Sequence, residues 1–314
     1  MVRVAAVVVA YNRRDLLRQS LSAIGVQSRA VDHVHVIDNA SADGTSDMVE
    51  SEFPDISLRS LPTNTGGAGG FAAGLAYAID AGADLVWLMD DDTIPTATAL
   101  EELLRAHAEY SGDAPAAIAS RVLWVDGRDH PMNTPRVRPG ASREQLASAA
   151  AVGCIPVRSA SFVSLLVESQ AVRAVGLPEA DFFLWNDDFE FSTRLLRDHV
   201  GLYCPASRVE HRTKSFGSTD LDPGERFYYE VRNKIWTFTR SRGLKPHEKA
   251  LYAGSTLRRW ARTLVGSDNR RVLISGLGRG LSDGLRSAPR DAHEVMDAAG
   301  TTIPAVCDDS DVEQ

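Results

Sequence analysis

The sequence predicts an α/β protein with a mostly parallel central sheet flanked by helices, followed by a helical C-terminal extension. In residues 2–92, apolar runs of strand length alternate with stretches of helical spacing, and each run ends in polar or glycine residues. Size agrees, because 314 residues at 44% hydrophobic content can bury one large core with an appendage.

Val2–Ala10 is apolar and β-branched, as expected of a strand covered on both faces, and it delivers Tyr11 and Asn12. From Arg13 to Gln27, Leu16, Leu17, Leu21 and Ile24 recur at helical spacing. A second strand over Val34–Ile37 ends at Asp38 and Asn39, and a turn over Ser41–Gly44 leads into a helix over Thr45–Phe53. The third strand, Ile56–Leu61, is followed by Asn64, Thr65, Gly66, Gly67, Ala68, Gly69 and Gly70, then by a helix over Phe71–Ala81. Leu85–Met89 is the fourth strand and runs into Asp90, Asp91 and Asp92. Such alternation implies parallel pairing through right-handed crossovers, and ligands of these sheets bind beyond the carboxyl ends of the strands. Four polar termini at one edge describe a binding crevice.

Three consecutive carboxylates repel one another unless solvated or neutralised. The triplet is thus either an acidic loop capping the helix after Pro95 or a seat for a divalent cation shared with substrate phosphates. Asp38 and Asp90 can accept hydrogen bonds from a nucleobase or ribose, and Asp92 can hold a metal against a diphosphate. The glycine stretch either lets the backbone approach a ligand or simply opens a helix. No G-x-x-x-x-G-K-[ST] is present, which excludes a P-loop NTPase. Gly67–Ala72 fits a loose G-x-G-x-x-A, but after the third strand instead of the first, so an NAD-dependent dehydrogenase is a distant alternative.

Further on, Pro95–Tyr110 reads as helix, Ala116–Val125 and Ser161–Glu168 as strands, and Asp126–Gly140 as a polar loop. A second chemical cluster, Phe182 to Arg194, sets Asp187, Asp188 and Glu190 in the first turn of a helix among Trp185, Phe189 and Phe191. The helix dipole alone explains acids there. A carboxylate dehydrated by such neighbours and crowded by like charge also suits a general base. Leu202–Pro205 is a short strand, and His211 follows 23 residues beyond Asp188, where a metal or phosphate role fits. Arg212–Gly224, with Lys214, reads as a mobile loop able to close over phosphates.

Composition sets limits. A net charge of −8 argues against nucleic-acid binding, and Cys154, Cys204 and Cys307 suggest neither a disulfide framework nor a zinc site. No run approaches the ~18 apolar residues of a membrane span, and the N-terminus shows no signal pattern, so a cytoplasmic protein is expected. Charge is uneven: residues 232–290 carry 14 Lys/Arg against three acids, while residues 291–314 hold seven acids and no Lys or Arg. Three segments follow: an α/β domain over 1–225, a basic helical extension over 226–290 and an acidic tail over 291–314, loose from Pro304. The extension, with Trp236 and Trp260 among its arginines, is either a packed helical set or a docking surface for anionic lipid with tryptophan at the interface.

Val7–Asn12, Val36–Thr45, Asn64–Gly67, Asp90–Asp92 and Asn186–Glu190 with Arg194, in this order, resemble the family 2 glycosyltransferases, over residues 4 to about 240. Asn64–Phe71, Trp87–Asp92 and the late His211 look most like actinobacterial galactofuranosyltransferases of the cell wall, with rhamnosyltransferases of lipid-linked sugars as the alternative. The resemblance implies a Rossmann-like GT-A fold and inverting transfer with Mg²⁺ or Mn²⁺. The donor would be a nucleotide sugar, UDP-galactofuranose or else dTDP-rhamnose, and the acceptor a polyprenyl-diphosphate-linked saccharide. A peripheral position at the inner face of the plasma membrane goes with these. By the same resemblance Asp38 and Tyr11 meet the nucleoside, Asn64, Gly66, Gly67, Asp90 and Asp91 line the donor, and Asp90, Asp92 and His211 hold the metal. Trp185 faces a sugar, and Asp188 or its neighbour Asp187 is the base.

Overall fold

The computed structural model describes residues 2–213, 216 and 222–306. Lys214, Cys307 and most of the expected loop and tail around them lie outside these residues. The N-terminal half alternates as expected: β1 (Val4–Ala10), α1 (Arg14–Gly25), β2 (His33–Asp38), α2 (Thr45–Glu52), β3 (Ser57–Ser60), α3 (Gly66–Asp80) and β4 (Leu85–Asp90). There follow β5 (Thr93–Pro95), α4 (Ala99–Glu109), β6 (Ala117–Leu123), β7 (Arg136–Val137), α5 (Arg143–Ala151), β8 (Ile155–Ser159), β9 (Ser164–Glu168) and α6 (Ser169–Val175). The remainder is α7 (Asp187–Leu195), β10 (Gly201–His211), α8 (Phe227–Thr239), α9 (Pro246–Gly266), α10 (Arg270–Arg286) and α11 (Ala292–Ala298).

One ten-stranded sheet runs β3-β2-β1-β4-β9-β6-β10-β8-β7, with β5 added on β10. Its first four strands are parallel, as the crossovers require; beyond β4 it becomes mixed, because β9 runs antiparallel to both β4 and β6. Every residue of β1 is buried, since alternate side chains serve two cores. Val7 and Val9 face α3, while Val4, Ala6 and Val8 face Leu17, Leu21 and Ile24 of α1. Each such leucine contributes about 1.5–3 kcal/mol by leaving water.

The chain gives β1 a close partner by keeping α3 thin. A Cβ on Gly74 would lie 2.2 Å from Val7 Cγ1, and one on Gly70 would lie 2.5 Å from Val9 Cγ1. The glycine stretch is therefore the first two turns of α3 and not a loop before it. α5 and β8 occupy a stretch to which the sequence assigned no element.

Strand β10 is longer than the expected Leu202–Pro205. Its register against β6 shifts between Cys204 and Arg208, and this bulge takes up Pro205, which has no N–H to offer. The strand then continues to His211 and pairs antiparallel with β5. The C-terminal segment is less separate than its charge suggested. Trp236 of α8 packs with Ala68 and Phe182, and Ala292, Met296, Ile303 and Val306 join the main core, so residues 292–306 are packed and not a loose tail. Among the described residues, no helix is long and apolar enough to cross a membrane.

Candidate active site

The order β3-β2-β1-β4 places β1 between strands added on either side, and the crevice of such a sheet opens where that order reverses. Register sets Ala10 beside Asp38 and Val9 beside Asp90, so all three strand ends open on one edge. Tyr11 keeps its side chain 46% exposed there. Asn12 adopts φ 51°, which its short side chain tolerates, and its Oδ1 accepts from Ala42 N at 2.8 Å. Asp38 is buried and accepts from Ser41 N at 3.0 Å and Ser46 Oγ at 2.5 Å, so each carboxylate oxygen keeps one further acceptor position.

The three acids of the triplet have different surroundings. Asp91 turns back toward β1, accepting from Tyr11 N at 2.9 Å and from Arg13 at 3.3 Å. It ties the crevice floor together and stands outside the group that its two neighbours form. Burial pushes its carboxyl up to about 7 in spite of Arg13. Asp90 and Asp92 instead meet His211, with one ligand atom from each lying within 4.8 Å of the others. What unites them is the β5–β10 ladder: His211 pairs with Thr93, and Arg212 N donates to Asp92 O at 2.9 Å.

Two further residues complete this group, and sequence reasoning missed both. Arg13 donates to Asp92 Oδ2 from the residue after Asn12, and leaves Oδ1 free. Asn133, from the polar loop before β7, has its amide nitrogen on Ser161 Oγ at 3.1 Å and its Oδ1 3.0 Å from His211 Nδ1. His211 thus turns Nδ1 to Asn133 and Nε2 to Asp92 Oδ1 at 3.1 Å, and the Asp92 carboxylate holds the imidazole above its ordinary range in spite of its burial. That oxygen is buried and has no aligned donor. Asp90, Asp92 and His211 bring two carboxylates and one imidazole to one point, a donor set that suits Mn²⁺ or Mg²⁺. Dehydration followed by the charge of Asp92 raises Asp90 to about 6. Burial would raise Asp92 too, but His211 and Arg13 outweigh it and hold it below the usual carboxylate range.

The second acid cluster depends on an unusual loop. Phe183, Trp185 and Asn186 have φ of 62°, 67° and 67°, a region costing about 1–3 kcal/mol for such side chains. Helix α8 holds them there. Asn233, fully buried, donates its amide to the carbonyls of Phe182, Leu184 and Trp185 at 2.9, 2.9 and 2.8 Å. Arg232 binds the carbonyls of Asp181 and Phe182, and Glu230 accepts from Asn186 Nδ2 at 2.8 Å. On the other side Gly66, at φ 71°, leaves room for Phe183 O, which would stand 1.9 Å from a Cβ. Its missing side chain therefore serves this loop. Asn64 Oδ1 accepts from Gly66 N, whereas a Cβ on Gly67 would meet open space, so Gly67 alone of the two expected glycines faces room for a ligand.

Asp187 and Asp188 start α7 directly after this loop. Asp187 is buried, and burial followed by the charge of Asp188 holds it well above its ordinary range. Asp188 is partly exposed; dehydration raises it too, against Phe189 N, Lys234 and Arg136. Trp185, also partly exposed, flanks them. Glu190 is structural, engaged in a bidentate pair with Arg194 at 2.9 and 3.0 Å and in a bond from Ser241.

Residues 5–163 match the model of the Glycosyl transferase family 2. The chain is 34% identical over 203 residues to the galactofuranosyltransferase GlfT1 of Mycolicibacterium smegmatis, a match covering 62% of this chain and 65% of that one. GlfT1 of Mycobacterium tuberculosis is likewise 34% identical, over 62% of this chain and 64% of its own. Among solved structures, S. aureus TarS 1–349 superposes with a TM-score of 0.60 at 16% identity, over 89% of this chain and 80% of that one. A mannosyltransferase from Pyrobaculum calidifontis, in complex with GDP-Man and Mn²⁺, gives 0.52 at 16% identity over 95% and 86%.

Proposed function

The chain belongs to the Glycosyl transferase family 2, and from that membership we propose that it moves galactofuranose from UDP-galactofuranose onto a polyprenyl-diphosphate-linked saccharide of the cell wall, with inversion. The observation that carries the reading is the meeting of Asp90, Asp92 and His211 at one end of the crevice, with Asp188 within electrostatic reach of Asp90. The galactofuranosyltransferase relatives support the donor; a TarS structure holding UDP-GlcNAc supports a nucleotide sugar in this fold.

Asp90, Asp92 and His211 would hold Mg²⁺ or Mn²⁺. A divalent cation there supplies a Lewis acid for the departing diphosphate. Tyr11 and Asp38 border the nucleoside, Gly67 leaves room for the donor, and Trp185 offers a sugar an apolar face. Asp188 takes the proton of the acceptor hydroxyl while that oxygen attacks the anomeric carbon opposite the diphosphate. The bond to the diphosphate breaks in the same displacement, which inverts the carbon and needs one base, unlike the two-carboxylate retaining glycosidases. A carboxyl raised above its ordinary range is well matched to that proton transfer.

Contact with an anionic membrane is part of the proposal, in altered form. Trp236 and Trp260 are 3% and 5% exposed, so neither reaches an interface. Leu251, Leu257, Val265 and Ile274 are exposed among Arg258, Arg262 and Arg271, and this face supports peripheral binding. Vesicle co-sedimentation should rise with anionic lipid content; indifference to it would remove the membrane.

Calorimetry with UDP, UDP-galactofuranose, dTDP-rhamnose and NAD, in Mn²⁺ and in EDTA, tests the function. Metal-dependent binding of UDP and its galactofuranose conjugate is expected. Preference for dTDP-rhamnose would reassign the donor, and metal-independent NAD binding would overturn the reading.

A further inference from the structure

Next to the acid pair, α8 also carries Lys234, which is only 7% exposed. Among the described residues its ammonium has neither a hydrogen-bond acceptor nor an ion-pair partner. Glu230, one turn earlier, is already divided between Arg259, Trp260 and Asn186. The Nζ of Lys234 rests 4.1 Å from the centroid of the Phe189 ring. Arg136 of β7 comes to the same ring at 5.6 Å and to Tyr252 at 5.3 Å, and it too has no acceptor among the described residues. The two rings meet edge to face at 5.2 Å. Both cations act on Asp188, which follows from Phe189 being its chain neighbour.

Glu230 and Asp188 act on Lys234 only at a distance, and among the described residues no carboxylate bonds its ammonium. A ring face attracts a cation but replaces little of the hydration that a buried ammonium loses. Burial accordingly pulls Lys234 down to about 8. Asp188 cannot act as full counter-charge to both groups and also accept a proton from substrate. An anionic ligand on the acceptor side of the base would supply the bonded counter-charge that the two cations lack. Its acceptor oxygens must point in more than one direction, because the two cations approach from different elements, β7 and α8. A tetrahedral phosphate meets that demand, whereas a planar carboxylate presents its oxygens in one fork.

We propose that Lys234 and Arg136 form a phosphate subsite beside Asp188, floored by Phe189 and Tyr252, that binds a phosphate ester of the acceptor and sets its hydroxyl against the base. The subsite's place in the reaction rests on Asp188 being that base. The phosphate ester could belong to a soluble sugar phosphate or to a lipid headgroup, and the same chemistry serves both.

The test follows the side-chain signal of Lys234 by NMR in the full chain, with UDP and Mg²⁺ present and the signal assigned by Lys234→Arg. Inorganic phosphate should shift the signal saturably, and Arg136→Gln, at an exposed edge, should weaken that binding about tenfold. Acetate at equal ionic strength should leave the signal in place. No saturable shift, an equal shift with acetate, or indifference to Arg136→Gln would overturn the subsite. Glucose 1-phosphate and phosphatidylglycerol vesicles then compete with inorganic phosphate. Displacement by the first identifies a soluble source, displacement by the second a membrane source, and displacement by neither overturns the proposal. Because the readout is binding, a chain that binds phosphate at Lys234 yet transfers no sugar leaves the subsite standing and removes the transferase reading alone.

Discussion

At the end of the crevice proposed for the donor, Tyr11, Asp38 and Asp90 stand at or directly after the last residues of β1, β2 and β4, so the parallel ladder alone brings them together. At the proposed base, Asp187 and Asp188 are placed by a loop whose left-handed residues are held from α8, with Asn233 lying 45 residues beyond Asp188. The first end is made by local chain geometry and the second by long-range hydrogen bonds. A helix that charge and position mark as an appendage is thus structurally part of the site. Substitutions should therefore separate the two ends: changes near the strands should act on donor and metal, and changes on α8 should act on turnover.

The largest expected effect on the donor side comes from His211→Ala or Asp92→Ala. Either should reduce Mn²⁺-dependent UDP binding by about a hundredfold, since the cation loses one of three protein ligands. Calorimetry in Mn²⁺ and EDTA reads this directly; an unchanged metal titration would break the comparison at its donor end. Asn133→Ala should cost less, about tenfold in metal affinity, because it removes only the acceptor that fixes the His211 ring. On the other side, Asn233→Ala frees three carbonyls at once. It should lower kcat about tenfold, in line with the ~1–3 kcal/mol of an unsatisfied buried polar group, while UDP affinity holds. Parallel losses of both would mean that α8 supports the fold as a whole.

The contrast also explains what could be read in advance. The four strands and their polar ends were legible because β1 and β4 are apolar throughout and stop abruptly at Asn12 and Asp90. His211 was legible as a residue type after a strand, but its route to Asp92 was not. That route needs a bulge around Pro205 and an antiparallel pairing with a three-residue strand. Asn133 sits in a polar loop with no periodicity, and nothing local marks it. The glycines carried a real signal whose cause was misplaced: Gly70 and Gly74 make room for Val9 and Val7, and Gly66 for Phe183, so only Gly67 is left for a ligand. For α8, charge composition pointed outward to a membrane, whereas Asn233 and Trp236 point inward. Amphipathic spacing shows that a helix has two faces but not which neighbour covers one of them.

The smallest effect concerns stability. Burial holds Asp187 well above its ordinary range, so its ionisation costs the folded chain more than the unfolded one. Its favourable contribution is complete below the unfolded pKa of about 3.9 and is lost as pH rises through the folded value. Removing the charge by Asp187→Asn should therefore raise Tm at pH 7.5 by about 2–4 °C, while at pH 4 the two proteins should melt together. A lower Tm at pH 7.5 would show that the ionised carboxylate is needed at the start of α7.

The most direct test of the account is Asp188→Asn, measured for turnover and for UDP affinity in Mn²⁺ on the same preparation. A base in a single displacement predicts that turnover falls by at least about a hundredfold with UDP affinity unchanged. Near wild-type turnover, or a loss of UDP binding in step with activity, would contradict it.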